Sequence, residues 1–256
     1  MKNKITSTII KLISFIIPVK IIRMIESICQ KSLGKGMYLD FKPIKSILKK
    51  DVNVIFDIGA SYGDYTEKLL VYYPNAKYFL FEPAKVPYQH LLNKFKNYQN
   101  IKIFNNAVSD KDSSSLLYSD KKGSGLGSLY QRNLDHLDIK FEDFEEVKLT
   151  SLNTLFKDEF NDKNFKINFC KLVVEGHELT ILNSIKNNFD KFEVIQFEFG
   201  GCNLDTRTYF RDFWNLLNKN YNIFLISPSG PILLEKYREL DEIFTMTHYL
   251  AVNKNI

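Results

Sequence analysis

Beyond residue 50 the chain alternates between short apolar runs and longer segments whose apolar positions recur at helical spacing. The runs Val52–Ile58, Lys77–Glu82 and Ile101–Asn105 read as strands, with helices predicted over Tyr65–Tyr73 and Tyr88–Lys96 between them. Strands that alternate with helices pair in parallel through right-handed crossovers. The rhythm breaks from Ser113 to Leu152, where short strands (Ser115–Tyr118 and Val147–Leu152) flank the polar loop 121–128. A long irregular insert in a compact domain is more often functional than accidental. It is expected to gate a substrate, the other reading being a linker without chemistry. Order resumes with the strand Phe169–Val174, the helix Glu178–Asn187, the strand Val194–Phe199 and the helix Tyr209–Asn218. The last apolar pair, Ile223–Ile226 and Phe244–Val252, is expected to close the sheet as a hairpin-like antiparallel edge. The expected fold is therefore α/β, a doubly wound, mostly parallel, seven-stranded sheet over residues 41–256, with a helical appendage at 1–40.

That appendage is apolar from Ile5 to Ile28 but carries Lys11, Lys20 and Arg23, with Pro18 in its middle. Its longest charge-free stretch, Leu12 to Val19, falls far short of the roughly 20 residues that a transmembrane helix needs. Met1-Lys2-Asn3-Lys4 resembles the basic start of a signal peptide, yet Lys11 interrupts the apolar part and no small-residue cleavage site follows. The segment reads as two amphipathic helices that pack on the domain or on a second copy, making a homodimer. The alternative is peripheral membrane contact, at the inner face, with Lys and Arg at the headgroups.

Composition narrows the class without deciding it. The 256 residues are 45% hydrophobic and 25% charged, an ordinary globular balance. A net charge of +5 with no basic block gives nucleic acid little to bind, and none is expected as a partner. A mildly basic cleft would suit an anionic small molecule such as a nucleotide sugar. The cysteines, Cys29, Cys170 and Cys202, are odd in number and form no C-x-x-C pair. Reduced thiols and a cytoplasmic setting are expected.

The chemistry concentrates where strands end. Val54 to Gly63 is an apolar run closing on Asp57 and two glycines, Gly59 and Gly63, before a helix. Glycine lets a ligand approach the backbone closely, and the new helix offers unpaired N–H groups. The spacing D-x-G-x-x-x-G is unlike the dinucleotide fingerprint G-x-G-x-x-G. It is similar to the turn of S-adenosylmethionine (SAM) methyltransferases. Glu82 closes the second strand, where a carboxylate accepts ribose hydroxyls; otherwise it merely ends the strand before Pro83. Asn106 can bond an adenine edge beside the small Ala107, or be a turn former. Further along, Val174-Glu175-Gly176-His177-Glu178 lies at the carboxyl end of the strand expected beside the first. His177 is the natural general base by its near-neutral pKa, or a helix-terminal residue that packs locally. Glu175 and Glu198 end neighbouring strands and can orient that histidine, bind hydroxyls or hold a divalent ion. The pattern H-E-x-x-H of zinc proteases is absent.

Phe56-Asp57-Ile58-Gly59-Ala60, Phe81-Glu82-Pro83, Asn106-Ala107-Val108-Ser109-Asp110, Lys171 to Glu178 and Gln196-Phe197-Glu198 together resemble the FkbM-type methyltransferases, over about Val52 to Val252. The resemblance implies a class I methyltransferase, Rossmann-like fold and SAM-dependent O-methylation of a sugar or sugar nucleotide in capsule or other surface polysaccharide synthesis. It implies that Asp57, Gly59, Ala60, Gly63, Glu82, Asn106, Ala107 and position 173 bind the cofactor, while Glu175, His177 and Glu198 face the acceptor. The chain departs from the family's K-I-D-V-E-G at one place, where Val173 replaces the aspartate. A lost hydrogen bond to a charged group costs about 1.5–3 kcal/mol. Val173 therefore argues against a divalent metal. It also motivates the alternative of a catalytically weak SAM-binding or partner-binding module in a polysaccharide assembly complex.

Overall fold

The computed structural model describes residues 51–162, 164–227 and 230–256, together with 45, 47 and 48. The expectations placed on residues 1–40, a helical appendage, membrane contact and dimerisation, lie outside the described residues, as does Cys29. No helix among the described residues is long and apolar enough to cross a membrane.

The sheet grows outward from its first strand. β1 (Val54–Ile58) runs through α1 (Asp64–Tyr72) into β2 (Lys77–Phe81), and through α2 (Lys85–Lys94) into β3 (Ile101–Phe104). β1 pairs in parallel with β2, and β2 with β3. The other half starts at β7 (Ile167–Leu172), which pairs in parallel with the opposite edge of β1 and with β8 (Phe192–Phe199). Between them lies α4 (Glu178–Ser184), and α6 (Phe210–Leu217) follows β8. The chain thus winds one way from β1 and the other way from β7. The crevice between these strands at their carboxyl ends is where such sheets bind ligands. All six positions of β7 are buried, as expected of an interior parallel strand.

Side chains on each strand alternate between two apolar layers. Phe56, Ile58, Phe79, Phe81, Phe197 and Phe199 fill one face, while Ile55, Tyr78, Leu80, Phe169 and Val194 fill the other. Asp57 shares the second face, fully buried.

The main sheet has eight strands, one more than the apolar pattern predicts, in the order β10-β9-β11-β8-β7-β1-β2-β3. The extra strand, β10 (Gly230–Leu234), pairs antiparallel with β9 (Tyr221–Ser227) at the edge. Pro231 disguises it in sequence, because proline is confined to edge strands and bulges. The closing pair is also arranged differently. β11 (Thr247–Asn253) does not form the edge but inserts antiparallel between β8 and β9. Its first five residues are all buried, as an interior strand requires.

The irregular insert is partly ordered. β4 (Asn106–Ser109), β5 (Ser113–Ser119) and β6 (Asp143–Ser151) form a separate sheet in the order β4-β6-β5. It begins one residue past β3 and so extends beyond the carboxyl end of the main sheet. Two helices escaped the sequence reading, α3 (Leu152–Glu159) leading into β7 and the short α5 (Cys202–Thr206) after β8.

Candidate functional site

A cavity of about 550 Å³ opens over the carboxyl ends of β1, β2, β7 and β8, a volume within the usual range for small-molecule sites. Of the residues expected to act here, Gly59, Ala60, Glu82, Asn106, Ala107, Val173, Glu175, His177 and Glu198 line it. Asp57 and Gly63 are not among the lining residues.

The turn after β1 is held by Gly59 N and Ala60 N, both donating to Phe81 O. Gly59 has φ +79°, and a Cβ there would lie 1.9 Å from the carbonyl oxygen of Val173. Only glycine lets β1 turn under the end of β7. Gly63 caps α1 at φ +78°, its α-carbon packed against Leu91 and Phe95 of the α2 region. It shapes the turn from behind. Asp57 is likewise a support. Its Oδ1 lies 2.9 Å from Lys171 Nζ and its Oδ2 accepts from Thr66 Oγ1 at 2.7 Å. Lys171 also donates to Gly59 O at 2.5 Å. A buried ion pair thus ties β1, β7 and the turn together. This explains the lysine in a strand that is buried at every position.

One end of the cavity suits a nucleoside. Glu82 Oε2 accepts from Ser61 N at 2.7 Å and Oε1 from Ala84 N at 2.9 Å. A carboxylate has about four acceptor positions, so two remain for vicinal hydroxyls. Burial pushes Glu82 up to about 7, against these two N–H groups. The neighbouring asparagines divide their work. Asn105 Nδ2 donates to the carbonyls of Glu82 and Pro83 and is the turn former. Asn106 lines the cavity next to Ala107, Val108 and Leu117.

The other end is acidic. Glu175 takes φ +54°, ahead of Gly176 at φ +106°. Glu178 holds this turn by accepting from Val174 N at 2.7 Å and Gly176 N at 3.0 Å. Glu175 Oε2 accepts from Arg132 at 2.6 Å, and the same guanidinium reaches Asp205 at 3.3 Å. Glu198 is only 5% exposed, lines the cavity, and accepts no hydrogen bond from any described residue. Burial, then the charges of Glu175 and Glu178, hold its carboxyl well above the usual range. Cys202 lies close enough that its sulfur and oxygens of Glu175 and Glu198 fall within 4.8 Å of one another.

His177 faces the cavity, but both ring nitrogens are engaged. Nε2 lies 2.9 Å from Ser109 Oγ, and Nδ1 lies 2.9 Å from Tyr130 Oη. Burial lowers its pKa, with Asp110 opposing, so the ring is neutral near pH 7. It fastens the insert to the site. Other ties do the same, from Tyr62 Oη to Gly123 O at 2.7 Å and from Ser128 Oγ to Glu175 O at 2.7 Å. Ser124, Gly125, Leu126 and Gly127 thereby wall the cavity. Ser61, Ser109, Tyr130 and Arg132 carry no motif of their own, and only the polar, glycine-rich character of 121–128 pointed to this wall.

A family profile, described as the methyltransferase FkbM domain, matches residues 57–223. The chain belongs to the FkbM methyltransferase family. Its fold is that of class I methyltransferases, as the resemblance implied. The FkbM methyltransferase of Methylobacillus flagellatus superposes with a TM-score of 0.50 at 14% identity, covering 85% of this chain and 48% of that one. The family member described here thus spans about half the length of that relative. The precorrin-6y C5,15-methyltransferase of Geobacter metallireducens superposes at 0.43 and 12% identity, covering 83% of this chain and 85% of that one. An rRNA methylase of Streptococcus thermophilus also gives 0.43 and 12%, with 83% and 96% covered. No curated protein matches the chain in sequence.

Proposed function

We propose that this FkbM family member is a SAM-dependent O-methyltransferase acting on a sugar hydroxyl, in capsule or other surface polysaccharide synthesis. One observation carries the reading: a single cavity joins a nucleoside end at Glu82 and Asn106 to a buried, cavity-facing carboxylate, Glu198, that no described residue bonds. Gly59, Ala60, Ser61, Glu82, Asn106 and Ala107 would hold the cofactor. SAM, when bound, supplies a methyl group on a sulfonium whose sulfur leaves as a neutral thioether.

The chain's own residues must position an oxygen and receive its proton. Glu198 is better placed for this than His177. A base needs a free acceptor position, and both histidine nitrogens already have partners. A carboxyl raised above its usual range is a stronger base once ionised. Val173 lines the wall between the two ends and offers an apolar contact where the family has a carboxylate. The charge of the cavity does not favour a nucleotide sugar. The lining contains Asp64, Glu82, Glu175 and Glu198 but no Lys or Arg, so it offers a diphosphate no counter-ion of its own. A sugar already joined to a lipid or glycan fits the lining better.

Calorimetry of SAM and S-adenosylhomocysteine (SAH) with the full chain tests the cofactor assignment. Micromolar binding that Glu82→Gln weakens is expected. Absence of binding by both compounds would sink the reading.

A further inference from the structure

We infer that the Glu175–Glu198 end of the cavity is an ammonium site, and that the acceptor is an amino sugar with its amine beside the hydroxyl to be methylated. The inference rests on the methyltransferase reading and deepens it.

The argument is a charge count in a buried place. Arg132 is the one cation within ion-pair distance of Glu175 among the described residues, and it is shared with Asp205. One positive charge therefore serves two carboxylates. Lys171, the other cation nearby, is held by Asp57 and the Gly59 carbonyl. Glu198 then adds a further carboxylate, nine-tenths buried, aimed into the cavity and bonded to no described residue. Burial and the neighbouring carboxylates disfavour the ionised form of Glu198 in the empty site, and a cation standing beside it and Glu175 would restore that form.

The geometry selects the kind of cation. Oxygens of Glu175 and Glu198 come within 4.8 Å of each other, close enough for neighbouring polar groups on one ring to meet both. Glu175 keeps one oxygen clear of Arg132 and can accept from an ammonium. Glu198 then meets the adjacent hydroxyl. A divalent ion is the poorer occupant, because the third donor within reach is the Cys202 thiol, which burial keeps strongly protonated. Val173 supplies no oxygen in place of the family's aspartate. An N-acetylated sugar would bring a bulky neutral amide to the same position and leave the charge uncompensated.

The test uses the full chain saturated with SAH. Glucosamine, galactosamine and mannosamine are each compared with the N-acetyl derivative by calorimetry at neutral pH. At least one amino sugar should bind about tenfold tighter than its N-acetyl partner, a gap that Glu175→Gln removes while SAH affinity stays within about twofold. Equal affinities in every pair, no binding by any amino sugar, or a preference that survives Glu175→Gln overturns the inference. Should that variant fail to fold, the wild-type comparison decides alone. SAH binding is read first. Its failure removes the methyltransferase reading, whereas SAH binding without an amine preference removes only this inference.

Discussion

The motif around Gly59 makes Asp57 a cofactor ligand, whereas the structure makes it half of a buried ion pair, and the two views separate under one substitution. Asp57 and Lys171 side chains are both fully buried, 2.9 Å apart. In Asp57→Ala the ammonium loses its carboxylate and retains the Gly59 carbonyl, with the Tyr65 ring 5.5 Å away. Breaking a buried pair by removing one partner costs about 3–5 kcal/mol, because the other charge is left uncompensated. For a domain of this size each kcal/mol lowers Tm by about 2–4 °C, so a fall of roughly 6–20 °C is expected. Removing both charges in Asp57→Leu with Lys171→Met should cost clearly less than Asp57→Ala, since an apolar replacement leaves nothing unpaired. Urea melts of the wild type, each single variant and the double give the cycle, and SAH calorimetry on whatever folds gives the ligand term. Wild-type stability in Asp57→Ala, to within about 1 kcal/mol, together with lost SAH binding would refute the structural role.

Further outcomes follow from the same geometry. Gly59→Ala must accommodate a Cβ 1.9 Å from Val173 O at a positive φ, so the turn between β1 and β7 has to open. A loss of about 2–4 kcal/mol in urea melts is expected, with SAH affinity falling in parallel. Burial raises Glu82 from 4.5 to about 7. Its protonated form therefore favours the fold below about pH 4.5, and that contribution fades as pH rises through about 7. Glu82→Gln should flatten the fall in stability across that window, which pH-resolved urea melts will read. Donation from ribose hydroxyls favours the ionised Glu82, so SAH binding at about pH 7 should release part of a proton in wild type and none in Glu82→Gln. Calorimetry in buffers of different ionisation heat detects this. With a methylated acceptor in hand, Glu198→Gln should lower kcat about 10²–10⁴-fold and leave SAH affinity unchanged, as expected for a general base. His177→Ala should instead loosen the insert, raising KM more than it lowers kcat. Limited proteolysis near residues 121–127 checks that loosening.

Strands that run as continuous apolar segments were legible: β1, β2 and β3 fall within the segments read from the pattern, while β7 and β8 overlap theirs and each begin two residues earlier. The elements that escaped obey weaker rules. β10 exposes Ile232 and Leu233 and carries Pro231, so neither alternation nor composition marks it as a strand. The place of β11 depends on which edge of β8 was vacant, a tertiary fact that local periodicity does not hold. The short helix α5 is five residues long, below the length at which an apolar stripe can repeat.

The site divides along the same line. Residues at strand ends were found because a carboxylate or glycine closing an apolar run is anomalous in itself: Gly59, Glu82, Glu175 and Glu198 all announce themselves that way. What the sequence could not give was each residue's partner. Asp57 and Glu82 look alike in sequence, each an acid near the end of a strand. Yet one faces Lys171 across a β1–β7 register and the other faces an open cavity. His177 was the natural base in sequence, with Glu198 as its support, until Ser109 and Tyr130, contributed by β4 and the insert, took up both ring nitrogens. The assignment of chemistry therefore turns on hydrogen bonds spanning 68 and 47 residues of chain, which no local motif encodes. Glu198 is left as the buried carboxylate in the cavity to which those distant segments bring no donor.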